Sequence, residues 1–261
     1  MDTMVFSGEN SKVERMIYHM IQAQVTALSV SPKPGLPDRT NRKPKEEKEW
    51  FSLLHDTFAS VPFYQEAIEI GFEWELSVAE LIETLYATAH TKKDFLVINK
   101  DSFIMMNVLG GIAGYTLGLE EKMNMEFMRK ALEEDPSLFQ NFSYVIDYAL
   151  PELERVCDLG HGENLGGMAA FAQLLSTVTD PYIIIQSNED MAEQVRDEIR
   201  SFLNQHQEIE NILTFMRGIN RVFLENQIRP FLCESLLMVT FFLYYSKQDW
   251  SGLHDKSEML Q

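Results

Sequence analysis

Ser31 to Lys48 reads SPKPGLPDRTNRKPKEEK, and no helical or strand period fits it. Prolines at 32, 34 and 37 together with Gly35 remove amide donors, fix φ and bias the preceding residues away from helix, so an extended, turning loop is expected. Lys33, Arg39, Arg42, Lys43, Lys45 and Lys48 place six of the 22 basic residues in these eighteen positions, in a chain whose formal net charge is -18. A local positive loop on an acidic protein suits a polyanion such as a nucleoside triphosphate, because lysine supplies point charges and arginine bidentate donors. The competing reading is a solvated basic linker.

Outward from the loop, apolar residues recur at helical spacing almost everywhere. Val13, Met16, Ile17, Met20, Ile21, Val25 and Leu28 predict a helix over 10–30 that delivers the chain into the loop. His19 and the methionines of that helix read as packing residues rather than metal ligands. Further helices are expected around Trp50–Phe58, ending near Pro62, then over Tyr64–Ile70, Ser77–His90, Met123–Leu132, Ser137–Leu159 with a kink at Pro151, and Met168–Leu175. Two more follow around 191–202 and 209–219, and a buried helix over Pro230–Tyr245 is interrupted by Glu234 and too short and polar for a membrane span. Asp94–Asn99 has strand propensity but no partner and is assigned to a helix or turn. Tyr182–Gln186, YIIIQ, has the composition of a strand. Gly110, Gly111, Gly114 and Gly118 match no phosphate-binding pattern and instead predict close approach of two helices.

A length of 261 residues with 45% hydrophobic content supports one large helical domain over 1–261. The excess of 40 acidic over 22 basic residues argues against a nucleic-acid or anionic-membrane surface. Cys157 and Cys233 are too few for a disulfide framework. No basic-then-apolar leader opens the chain, so the cytoplasm is the expected compartment.

Pro32-Lys33-Pro34-Gly35-Leu36 with Asp38-Arg39 and Asn41 resembles the signature loop of the triphosphoribosyl-dephospho-CoA synthase family, Thr-Pro-Lys-Pro-Gly-Leu-Val-Asp-Arg followed by an Asn pair. The resemblance implies an all-helical fold and transfer of a triphosphoribosyl group from ATP to dephospho-CoA, or a related acceptor, with release of adenine. Later segments follow in order with departures. Asn107 and Gly111 fall where the family has Asn-Thr-His-Lys-Gly, without its Thr, His and Lys, and Thr116-Leu117-Gly118-Leu119 matches the end of the helix after it. Ala149-Leu150-Pro151 is shared. In Thr177–Asn188 only Asp180 of Gly-Asp-Thr-Asn and its Arg-Gly pair survives, Gln186 standing where the family has Arg. Gln227–Leu237 replaces Asn-Leu-Ser-Pro-Gly-Gly-Ser-Ala-Asp-Leu-Leu, with Glu234 one position from the missing Asp.

By resemblance, Lys33, Gly35, Arg39, Asn41, Arg42, Lys45, Asn107 and Gly111 are expected to bind substrate, and Asp38 and Asp180 to supply the carboxylate that accepts a proton or holds Mg²⁺. ATP is then a substrate, a dephospho-CoA-like acceptor the second one, and a homodimer is compatible. A non-catalytic relative that binds a nucleotide or a partner protein through the basic loop is the alternative.

Overall fold

A computed structural model describes residues 9–38, 44–92, 100–119, 125–133, 136–206 and 208–258, and among them there is helix and no strand. In chain order the helices are α1 (Glu9–Ser29), α2 (Pro44–Ala59), α3 (Val61–Phe72), α4 (Val78–Lys92), α5 (Lys100–Gly118), α6 (Met125–Leu132) and α7 (Pro136–Tyr144). A π-helical turn (Val145–Ala149) joins α7 to α8 (Leu150–Asp158), and α9 (Gly162–Thr177), α10 (Pro181–Gln186), α11 (Glu189–Gln205), α12 (Ile209–Asn226) and α13 (Phe231–Glu258) follow. The all-helical single domain expected from the sequence is what the chain forms.

Two helices are apolar nearly all round, which only a central position tolerates. In α5, Ser102 through Gly114 are buried without a break; in α13, Cys233 through Ser246 are. α13 packs on α1, α5 and α9; α3 and α4 cover α5, and α8, α11 and α12 cover α9. Amphipathic α11 and α12 turn Val195, Ile199, Ile212 and Met216 inward and their charges outward. None of the helices in the described residues is long and apolar enough to cross a membrane.

The glycines of α5 meet α3 as their spacing predicts. A Cβ on Gly71 of α3 would lie 1.9 Å from the Gly111 carbonyl oxygen, and one on Gly114 would lie 2.1 Å from that of Ile68. Both obstacles are backbone, so Gly71→Ala and Gly114→Ala must push two helices apart, and each should cost about 1–3 kcal/mol in urea unfolding. Gly218 of α12 has nothing within 4 Å. Gly218→Ala should therefore raise stability by about 0.5–1 kcal/mol, the usual preference for alanine inside a helix.

Three local expectations change. YIIIQ is helix α10, not strand: the Asp180 side chain accepts the Tyr182 N–H at 2.9 Å, and Pro181 pre-sets φ at the first helical position, so cap and proline override β propensity. The kink expected at Pro151 is a widened turn, in which the Leu150 N–H reaches the Val145 carbonyl; proline has no N–H to donate and its ring crowds the preceding turn. The functional loop is shorter than 31–48, because Pro44–Lys48 already belong to α2, where a proline suited to helix position N1 is followed by good helix formers. Asp94–Asn99 lies outside the described residues.

Candidate functional site

The first half of the basic loop is not a solvated linker. Pro32 through Asp38 are all buried, and the Ser31–Pro32 peptide is cis. Asn164 of α9 pins the loop entrance twice: its Oδ1 accepts the Ser31 N–H and its Nδ2 donates to the Ser31 carbonyl, both at 3.0 Å. Gly35 has φ +74°, donates its N–H to Asn220 Oδ1 of α12 at 3.0 Å, and sits so close to Ile228 that a Cβ would lie 2.0 Å from that carbonyl oxygen. Only glycine meets both conditions. The loop is thereby pressed onto the turn between α12 and α13.

Inside this contact, Lys33 and Glu234 form an ion pair at 2.5 Å with both side chains fully buried. The Lys33 ammonium also donates to the Ala27 carbonyl at 3.3 Å, and the Lys33 N–H donates to Asp38 Oδ2 at 3.3 Å. Glu234 spends Oε1 on the lysine; its buried Oε2 accepts no hydrogen bond among the described residues. One residue earlier on α13, the Cys233 N–H donates to Asp180 Oδ2 at 3.0 Å, while Asp180 Oδ1 accepts from Tyr182. Burial raises the Asp180 carboxyl above the ordinary value, opposed by these N–H donors. Burial also pushes the Cys233 thiol well up, with the neighbouring Asp180 charge adding to it. Tyr182 gives its hydroxyl to Asp101 at the start of α5 at 2.5 Å.

Lys33, Gly35 and Asp38 of the loop and Asp180 of a separate segment thus gather around the first turn of α13. Asn107 and Gly111 do not join them. The Asn107 side chain donates to the Phe103 carbonyl of its own helix at 2.8 Å, and Gly111 faces Leu85 of α4. Arg39, Asn41 and Arg42 lie outside the described residues, and of Lys45 only the backbone, in the first turn of α2, is described. The residues that sequence reasoning left out of the site are Glu49, Asn164, Asn220 and Arg229. Glu234 had a signal, a lone charge in an apolar run.

Mg²⁺ prefers carboxylate oxygens free to face it. Both oxygens of Asp180 accept N–H groups and Asp38 accepts one as well, and among the described residues no group of three His, Cys, Asp or Glu side chains could hold a metal ion. In these contacts Asp38 braces the loop and Asp180 braces α10 against the head of α13.

In comparison with known proteins, the model of the CitG family, described as ATP:dephospho-CoA triphosphoribosyl transferase, matches residues 121–253. No curated protein and no solved structure matches. The matched span holds Asp180, Cys233 and Glu234 and leaves out the loop at 31–38, so the signature loop is a similarity outside that match.

Proposed function

The chain belongs to the ATP:dephospho-CoA triphosphoribosyl transferase family, and from that membership we propose that it moves a triphosphoribosyl group from ATP to dephospho-CoA or a related acceptor, releasing adenine. The observation that carries this reading is the junction of loop 31–38 with the first turn of α13, through Lys33 to Glu234 and Gly35 to Ile228. It joins the signature loop to the matched span. The acceptor's 2'-hydroxyl attacks C1' of the ATP ribose, the bond from C1' to the adenine nitrogen breaks, and the adenine takes up a proton from water. The hydroxyl proton needs a carboxylate, and Glu234 has an oxygen that accepts no hydrogen bond among the described residues. Mg²⁺ arrives with the ATP phosphates. A cytoplasmic location and a homodimer are compatible with this reading.

The full burial of Lys33 against Glu234 favours a second reading, a non-catalytic relative in which the loop serves the fold and binds a nucleotide or partner protein. Adenine release separates the two. Purified protein with ATP, Mg²⁺ and dephospho-CoA should produce adenine and a CoA adduct in equal amounts, and Glu234→Gln should slow both by about 10²–10⁴-fold per folded molecule, the usual worth of a general base. If the unaltered protein releases no adenine, the transferase reading falls and the second one stands.

A further inference from the structure

Lys33 is neutralised by Glu234, so among the described residues a triphosphate here needs another cation, and we propose that Arg229 is a polyphosphate-binding residue, held by Glu49 until the anion arrives. This rests on the transferase reading of the same site.

Arg229 lies in the turn from α12 to α13, directly after Ile228, the residue against which Gly35 is pressed. Its backbone is fixed from α10: the Arg229 N–H donates to Gln186 Oε1 at 2.7 Å, and Gln186 Nε2 reaches the Arg229 carbonyl at 3.5 Å. Its guanidinium lies 6.0 Å from the Phe231 ring centre and gives Nη1 to the Glu49 carboxylate of α2. The side chain is 23% exposed, whereas that of Lys33 is 0%. A guanidinium has five N–H donors in a planar fork, and the Glu49 bond uses one of its nitrogens, so the group has donors to offer a second anion without moving its backbone.

The position matters as much as the exposure. Gln186, whose amide grips the Arg229 backbone, stands where the family pattern compared above has an arginine. Arg229 thus sets a cation against the end of α10, a helix with no basic residue of its own. A triphosphate carries more charge than one carboxylate and can engage the guanidinium through two oxygens, so it should displace Glu49 rather than add to it.

This exchange predicts effects of opposite sign. Titration calorimetry with inorganic tripolyphosphate and with MgATP should show Arg229→Gln binding at least tenfold more weakly and Glu49→Gln binding several-fold more tightly, with thermal melting confirming that both are folded. Should Arg229→Gln fail to fold, Arg229→Lys carries the test with a smaller loss, since it keeps the charge without the fork. A brace between α2 and the turn would instead shift both variants in the same direction, and that result overturns the proposal. So does adenine release by the unaltered protein combined with undiminished binding by Arg229→Gln, which leaves the transferase reading intact. Arg229-dependent tripolyphosphate binding without adenine release upholds this inference and removes the transferase reading; no binding of either ligand removes both.

Discussion

Lys33→Met should lower the unfolding free energy by about 3–5 kcal/mol, the cost of stranding one member of a buried ion pair. Both side chains are fully buried, and the change leaves the Glu234 carboxylate with no hydrogen-bond donor to either oxygen among the described residues. The double variant Lys33→Met, Glu234→Leu should recover most of that loss, because apolar replacement of both partners removes the desolvation penalty along with the attraction. Urea unfolding of the two single variants and the double one closes the cycle. A Lys33→Met loss below about 1 kcal/mol would put the lysine in water and reopen it as a direct phosphate ligand. The same cycle bears on activity: a double variant that is stable yet releases no adenine assigns the pair to chemistry, while one that keeps adenine release assigns it to the fold.

Gly35→Ala should cost about 2–5 kcal/mol. Roughly 1–2 of this is the left-handed backbone, φ +74°, which any side chain strains. About 1–3 more comes from the new Cβ, placed 2.0 Å from the Ile228 carbonyl oxygen, a backbone atom that can yield only by moving the α12–α13 turn. Gly160 separates the two contributions. It has φ +84° with nothing within 4 Å, so Gly160→Ala should show the backbone part alone. Equal losses at the two positions would mean that the loop is not pressed onto the turn.

The helices were legible because burial imposes its period directly on the chain: the stripes of α1, α11 and α12 face the core as written. So was the close approach at Gly114 and Gly118, since a missing side chain at every fourth position has few other uses. α10 was misread because five residues of β composition are outweighed by Asp180 and Pro181 just before them. The widening at Val145–Ala149 follows from Pro151, yet a sequence does not say whether the helix will bend or add a residue to the turn. At the site, residue type suggested chemistry and partners decided it. Lys33 looked like a phosphate ligand for want of any sign that its carboxylate lay 201 positions away. Arg229 drew no notice because one arginine before a proline has no pattern; its setting among Glu49, Gln186 and Phe231 exists only in three dimensions.

The amides of Ser31, Gly35 and Cys233 have a kinetic consequence. Each donates to a side chain rather than to a neighbouring turn, and those acceptors, Asn164, Asn220 and Asp180, stand 133, 185 and 53 positions away on other elements. A surface loop ordinarily exchanges its hydrogens with solvent through small local openings. Each of these amides is released only when its own contact parts, the loop from α9 or α12 and the head of α13 from Asp180, so hydrogen exchange should find all three slower than the amides of an ordinary surface loop.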